Sequence, residues 1–119
     1  MRRNLKQVTH SIITKYENIS AFSQGPAECQ HHCIFGGGLR KLADEDGLYI
    51  PLMNCEHNMS SKGTINQIHG NPAAEKLSKM LGQVAWEKHW IAEKYSLPFA
   101  DIEAEAREAF RERYGQSWL

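Results

Sequence analysis

The chain has 119 residues with 14 basic and 14 acidic side chains, so its formal charge is zero and no global field draws it to nucleic acid or to an anionic membrane. That length supports one modest core and not a second independent one, so 1–119 is read as a single domain. No apolar run approaches the roughly 20 residues that span a bilayer, the first residues lack the apolar core of a signal peptide, and three cysteines fit reduced thiols or metal ligands better than a disulfide framework; the expected compartment is the cytoplasm.

Taken in chain order, Leu5, Val8, Ile12, Tyr16 and Ile19 recur at three- and four-residue steps, which predicts an amphipathic helical segment over 1–25 that stops at Gly25 and Pro26. A compact stretch rich in Gly, Cys and His follows over 27–70. Its apolar runs "HCIF" and "GLYIPLM" have the length of strands, and "LRKLADEDG" between them has the length of about two helical turns.

Two long helices are expected over 71–119. The first opens with Asn71 as N-cap and Pro72 at the first helical position, and Leu77, Met80, Leu81, Val84 and Ile91 are predicted to form its inward face. The second has Pro98 near its start, Phe99, Ile102, Ala106, Phe110 and Tyr114 facing inward, and Gly115 as its stop. Trp86 and Trp90, one turn apart, are expected to pack against the neighbouring helix, and "EAEAREAFRER" to be a solvated face with local ion pairs. The fold class is therefore α+β, mostly helical, around a small two-stranded polar centre.

The chemistry lies in that centre. Cys29, His31, His32, Cys33, Cys55, His57 and His69 are imidazole and thiol groups, the ligands of zinc and related transition metals. No pair of C-x-x-C knuckles is present; a structural site built from Cys29, His32, Cys55 and His57 would be irregular. Adjacent histidines on a strand point to opposite sides, so one can hold a metal while its neighbour faces a substrate. Cys33 reads as a small buried residue, His10 and His89 as ordinary polar residues, and Gly36, Gly37 and Gly38 as a tight turn.

The stretch "HHCIFGGGLRKLADEDGLYIPLMNCEHN", followed by "IHGN" and by "YGQSWL" at the end, resembles the ββα-metal core of the HNH, or His-Me finger, endonucleases, and more narrowly a group of small phage and prophage HNH-like proteins. The resemblance runs from about Cys29 to Leu119. It implies an HNH-like core over 27–70 that hydrolyses DNA phosphodiester bonds with a divalent ion such as Mg, Mn or Zn. By position, His31 and His57 take the metal-binding places, with His57 at the start of the motif's helix, and His32 takes that of the general base. Arg40 falls where an arginine holds the scissile phosphate, Asn58 stands near in sequence, and His69 and Asn71 match a downstream pair with a metal or phosphate role.

Two departures stand out: Leu39 occupies the position of the motif's asparagine, and Met53 and Glu56 fall where a second cysteine pair would sit. They raise the alternative of a non-cleaving phage protein on the same scaffold, binding nucleic acid or blocking a host defence protein such as a CRISPR effector. The expected partners are thus DNA or such a protein, with no membrane. The oligomeric state is left open, with the long apolar-faced helices offering a surface through which two copies can pair.

Overall fold

A computed structural model describes residues 9–94 and 102–119 of the chain. Its centre is a two-stranded antiparallel sheet, β1 (Cys29–His32) and β2 (Tyr49–Leu52), in a register that sets His31 opposite Ile50 and His32 opposite Tyr49. Between the strands run a glycine turn and a short helix, α1 (Leu39–Glu45). Gly36, Gly37 and Gly38 all have φ between 56° and 91°, the left-handed region that a side chain would strain, so three glycines reverse the chain in the space of one turn. The first strand therefore ends earlier than "HCIF" suggests.

After β2 come α2 (Asn54–His57), a single 3₁₀ turn at Thr64–Asn66, the long α3 (Pro72–Lys94) and α4 (Ile102–Tyr114). The start of α3 follows the sequence closely: Asn71 Oδ1 accepts the Ala74 amide at 3.2 Å, and Pro72 takes the first helical position. The architecture is α+β, with helices in the majority. No helix among the described residues is long and apolar enough to cross a membrane.

One core cluster joins α1, α3 and α4: Ala43, Trp86, Trp90, Ala106, Phe110 and Tyr114 close around Ile34 and Leu48. Phe110 stacks on Tyr114 at 4.5 Å between ring centres and meets Trp86 edge-on at 5.5 Å, so both tryptophans serve helix packing as expected. Ile102, Ala106, Phe110 and Tyr114 form the inward face of α4; Pro98 and Phe99 lie outside the described residues. A second cluster, Cys33, Ile50, Leu52 and Ile68, lies on the His31 side of the sheet.

Two expectations are corrected. Described residues of the segment 1–25 form no helix; they run as turns along the sheet. Ser11 Oγ donates to the Tyr49 carbonyl and accepts the amides of Ile13 and Thr14, while Ser20 Oγ accepts those of Phe22 and Ser23. These hydroxyls satisfy the amides that a helix would need, which is how serine and threonine compete with helical bonding. Backbone bonds from Ile12 to Gly47 and from Ala21 to Pro51 then tie the segment to the sheet.

The inward face of α3 is also rotated from the one its apolar residues suggest. Leu77, Leu81 and Val84 are exposed, while Ser78, Gly82, Gln83, Trp86, Glu87 and Trp90 are buried. Gly82 is the reason for the close approach: a Cβ there would meet Ile34 Cγ1 at 2.8 Å and Cys33 Cβ at 3.1 Å. Gln83 and Glu87 are tolerated inside because they are partnered. Gln83 accepts the Trp118 amide at 2.7 Å and donates to Ser117 and Glu87, and Glu87 accepts from Arg107 at 2.8 Å. Thus the charged face of α4 contributes tertiary ion pairs besides the exposed Arg111–Glu108 pair.

Candidate metal centre

His31 enters the site from β1, on the strand face that carries Cys29 and Cys33. His57 is the last residue of α2, not the first of a helix as the motif implies. His69 arrives on the segment before α3, which is pinned alongside the end of α2 by backbone bonds from Ile68 to Glu56 and from His69 to His57, both 3.0 Å. These ties bring three elements together.

The rings of His31, His57 and His69 lie 4.6 to 5.2 Å apart, centre to centre, and one nitrogen from each falls within 4.8 Å of the others. Among the described residues this is the group close enough to hold a metal ion, and no cysteine joins it. Cys33 is buried, as its sequence context suggests, Cys29 is half-buried and Cys55 exposed. His10 is exposed, and His89 pairs with Glu93 at 3.2 Å on the surface of α3.

Hydrogen bonding fixes which nitrogens are free. Ser78 Oγ donates to the Cys33 carbonyl at 2.8 Å, so across the 2.7 Å gap to His31 Nε2 it must accept. His31 therefore carries its proton on Nε2, and its Nδ1 is a bare lone pair, buried and without a hydrogen-bond partner. An orphaned buried acceptor costs about 1–3 kcal/mol, and a metal ligand is one of the few roles that removes the cost. His69 Nδ1 faces the Glu75 carboxylate at 3.3 Å, which leaves Nε2 for a metal. The donor set thus fits a metal ion, with Ser78 and Glu75 as the outer partners that orient two of the ligands.

Burial and neighbouring charges push two of the imidazoles toward the neutral form. Burial pushes His31 down to about 3, helped by the other histidines around it. His57 is lowered as well, by burial first and then by His69, His32 and Arg40. Neutral imidazole is the form that ligates.

His32 points to the opposite face of the sheet. Its Nε2 lies 2.9 Å from Asp44 Oδ1 and its Nδ1 accepts from Arg40 Nε at 3.3 Å, so the proton sits on Nε2 and is held by the carboxylate. Arg40 and Asp44 are four apart on α1 and share one face of it. An open cleft of about 530 Å³ there is lined by Gln30, His32, Gly38, Arg40, Lys41 and Asp44.

Among the remaining expected residues, Asn71 is engaged as the cap of α3, Asn58 is exposed at the end of α2, and Leu39 packs against the core. No protein-family model, curated protein or solved structure matches the chain.

Sequence reasoning missed Ser78, Glu75 and Asp44. A signal for two of them exists: Asn71 and Pro72 fix the helix start two residues after His69, so the polar residues of the first two turns of α3 must lie near that histidine. The Arg40/Asp44 spacing was likewise readable on a seven-residue helix that follows the histidine pair.

Proposed function

We propose that the chain is a metal-dependent phosphodiesterase that cleaves DNA, built on an HNH-like core. The observation that carries the reading is the bare, buried Nδ1 of His31 on a ring clustered with those of His57 and His69, one residue from a histidine held by a carboxylate and approached by an arginine. Three imidazoles with no fourth protein ligand among the described residues fit the pattern of a catalytic rather than a structural metal, and an all-imidazole set favours zinc or a similar transition ion over magnesium.

When bound, the ion would supply Lewis-acid stabilisation of the charge developing on the phosphate and on the leaving 3′ oxygen. The chain's own residues supply the rest. His32 Nδ1 takes a proton from the attacking water as its oxygen forms the new bond to phosphorus and the bond to the 3′ oxygen breaks. Asp44 holds Nε2–H, keeps the ring in this tautomer, and stabilises the imidazolium that results. Arg40 donates to His32 Nδ1 through one long contact in the free protein; moving that guanidinium to a phosphate oxygen exposes the base as substrate binds.

A second reading, a non-cleaving binding protein on the same scaffold, is favoured by Leu39 and by an apolar groove of about 510 Å³ edged by Phe22, Ile65, Leu77 and Leu81, which suits a protein partner better than DNA. Nicking of supercoiled DNA with Mg²⁺, Mn²⁺ or Zn²⁺, by the intact protein and by His32→Ala, separates the two. Metal-dependent nicking lost in the variant supports the nuclease, and a metal-loaded protein that does not nick supports the binder.

A further inference from the structure

Beyond the metal, the first two turns of α3 carry a third polar group toward the same region. Next to Ser78 and one turn after Glu75, Lys79 holds its ammonium 4.7 Å from the ring centre of Phe35 and 5.7 Å from that of Trp118. The Phe35 ring also stands edge-on to His69 at 4.8 Å and to His31 at 5.7 Å. One aromatic side chain thus separates the histidine cluster from a lysine.

An open cleft of about 450 Å³ lies on the lysine side, lined by Phe35, Gly36, Gly37, Lys79, Gln116 and Trp118 among others. Gly36 and Gly37 contribute bare backbone, and a Cβ at either would meet nothing within 4 Å. Trp118 is held in place from behind, because Gln83 on α3 accepts its amide and the indole meets Phe110 edge-on at 6.0 Å. Lys79 makes no ion pair with a carboxylate among the described residues. Its charge is half-buried against π faces, with no carboxylate partner among the described residues.

We infer that this cleft is a subsite for single-stranded nucleic acid, with a phosphate on the Lys79 ammonium and the adjoining base stacked on the Trp118 and Phe35 rings. A lysine is a point charge suited to a phosphate, and an aromatic wall accepts the face of any base. Bases in a duplex have both faces covered, so the subsite selects unpaired nucleotides. An acidic peptide would satisfy the lysine and leave the ring faces unused. The inference rests on the nuclease reading, and places the strand that runs past the histidine centre.

The test is binding of a labelled oligothymidylate, and of an abasic oligomer of equal length, to the zinc-loaded full chain carrying His32→Ala, alone and combined with Lys79→Ala, Lys79→Arg or Trp118→Ala. Lys79→Ala is expected to weaken binding about ten-fold and to reduce the salt slope by about 0.7, the share of one single-strand phosphate. Lys79→Arg retains most of the affinity, the abasic oligomer binds about ten-fold more weakly, and zinc stoichiometry stays the same in every variant. Because Trp118→Ala also removes a core contact, Lys79→Ala and the abasic probe decide. Unchanged affinity in either, or no binding of oligothymidylate at all, overturns the subsite. A protein that nicks DNA while Lys79→Ala binds normally loses only this inference, whereas one that neither binds nor nicks loses the nuclease reading with it.

Discussion

Ser78 accepts the Nε2 proton of His31 across 2.7 Å and hands its own to the Cys33 carbonyl across 2.8 Å, so a helix and a strand together determine which nitrogen of a buried histidine is free. Replacing Ser78 by Ala removes that constraint. Zinc affinity, measured by competition with a chelator, is expected to fall roughly 10- to 100-fold, the usual effect of losing an outer partner of a metal ligand. Glu75→Gln should act in the same direction and more weakly, because its contact with His69 is longer at 3.3 Å and half-exposed. Unaltered affinity in Ser78→Ala would mean that His31 is not a ligand through Nδ1.

On the other face of the sheet, His32→Ala is expected to leave zinc stoichiometry unchanged and to abolish nicking, since His32 belongs to the base and not to the ligand set. Asp44→Asn should retain the metal and reduce the rate, because an amide can hold the ring but not stabilise its protonated form. Equal nicking rates for Asp44→Asn and the intact protein would remove Asp44 from the mechanism.

The metal-free protein should lose stability as the solution is acidified. His31 has a folded value of about 3 against 6.5 for the free side chain, so between those values the unfolded chain binds a proton that the folded one refuses. Stability is therefore complete above about 6.5 and declines as pH falls toward 3, with His57 adding a loss of the same sign. Urea midpoints across this range check the direction. Zinc should raise the midpoint above that window and lose its effect within it, as protons displace the metal. A midpoint independent of pH would show that His31 is not held neutral.

Packing gives two contrasts on α3 and α4. Phe110→Ala is expected to destabilise by about 3–5 kcal/mol, whereas Leu81→Ala, on the exposed stripe, should stay within about 0.5 kcal/mol. Gly82→Ala would ordinarily stabilise a helix interior by about 1 kcal/mol, but here the added carbon meets Ile34 and Cys33, and net destabilisation is expected. Chemical denaturation of the three variants decides both contrasts; a stabilised Gly82→Ala would contradict the close contact between α3 and the end of β1.

Much of this fold was legible in the chain. The Asn71–Pro72 start of α3, the inward face of α4, the short α1 and the turn of three glycines all follow from local rules, since capping, periodicity and left-handed φ depend on the residues themselves. The same holds for the candidate ligands, because imidazoles announce themselves by type. What could not be read depends on partners distant in sequence. The N-terminal stripe of Ile12, Tyr16 and Ile19 looks helical until Ser11 finds the Tyr49 carbonyl. Leu77, Leu81 and Val84 of α3 point outward because Ser78, Gln83 and Glu87 each have a hydrogen-bond partner elsewhere in the fold.

Asp46 illustrates the same point. It accepts from Arg113, from Trp86 at 2.9 Å and from Tyr114 at 2.9 Å, joining the end of α1 to both long helices, yet nothing near it in sequence marks it as buried. Asp46→Ala should destabilise by about 3–5 kcal/mol, because it strands a partly buried guanidinium and two ring donors. A urea midpoint close to that of the intact protein would contradict this role.

The most direct test of the central claim is zinc content and nicking activity measured together on the intact protein and on His31→Ala. The account predicts one zinc per chain and metal-dependent nicking in the former, with both lost in the latter. Zinc retained by His31→Ala, or a fully zinc-loaded intact protein that leaves supercoiled DNA uncut with every metal supplied, would contradict it.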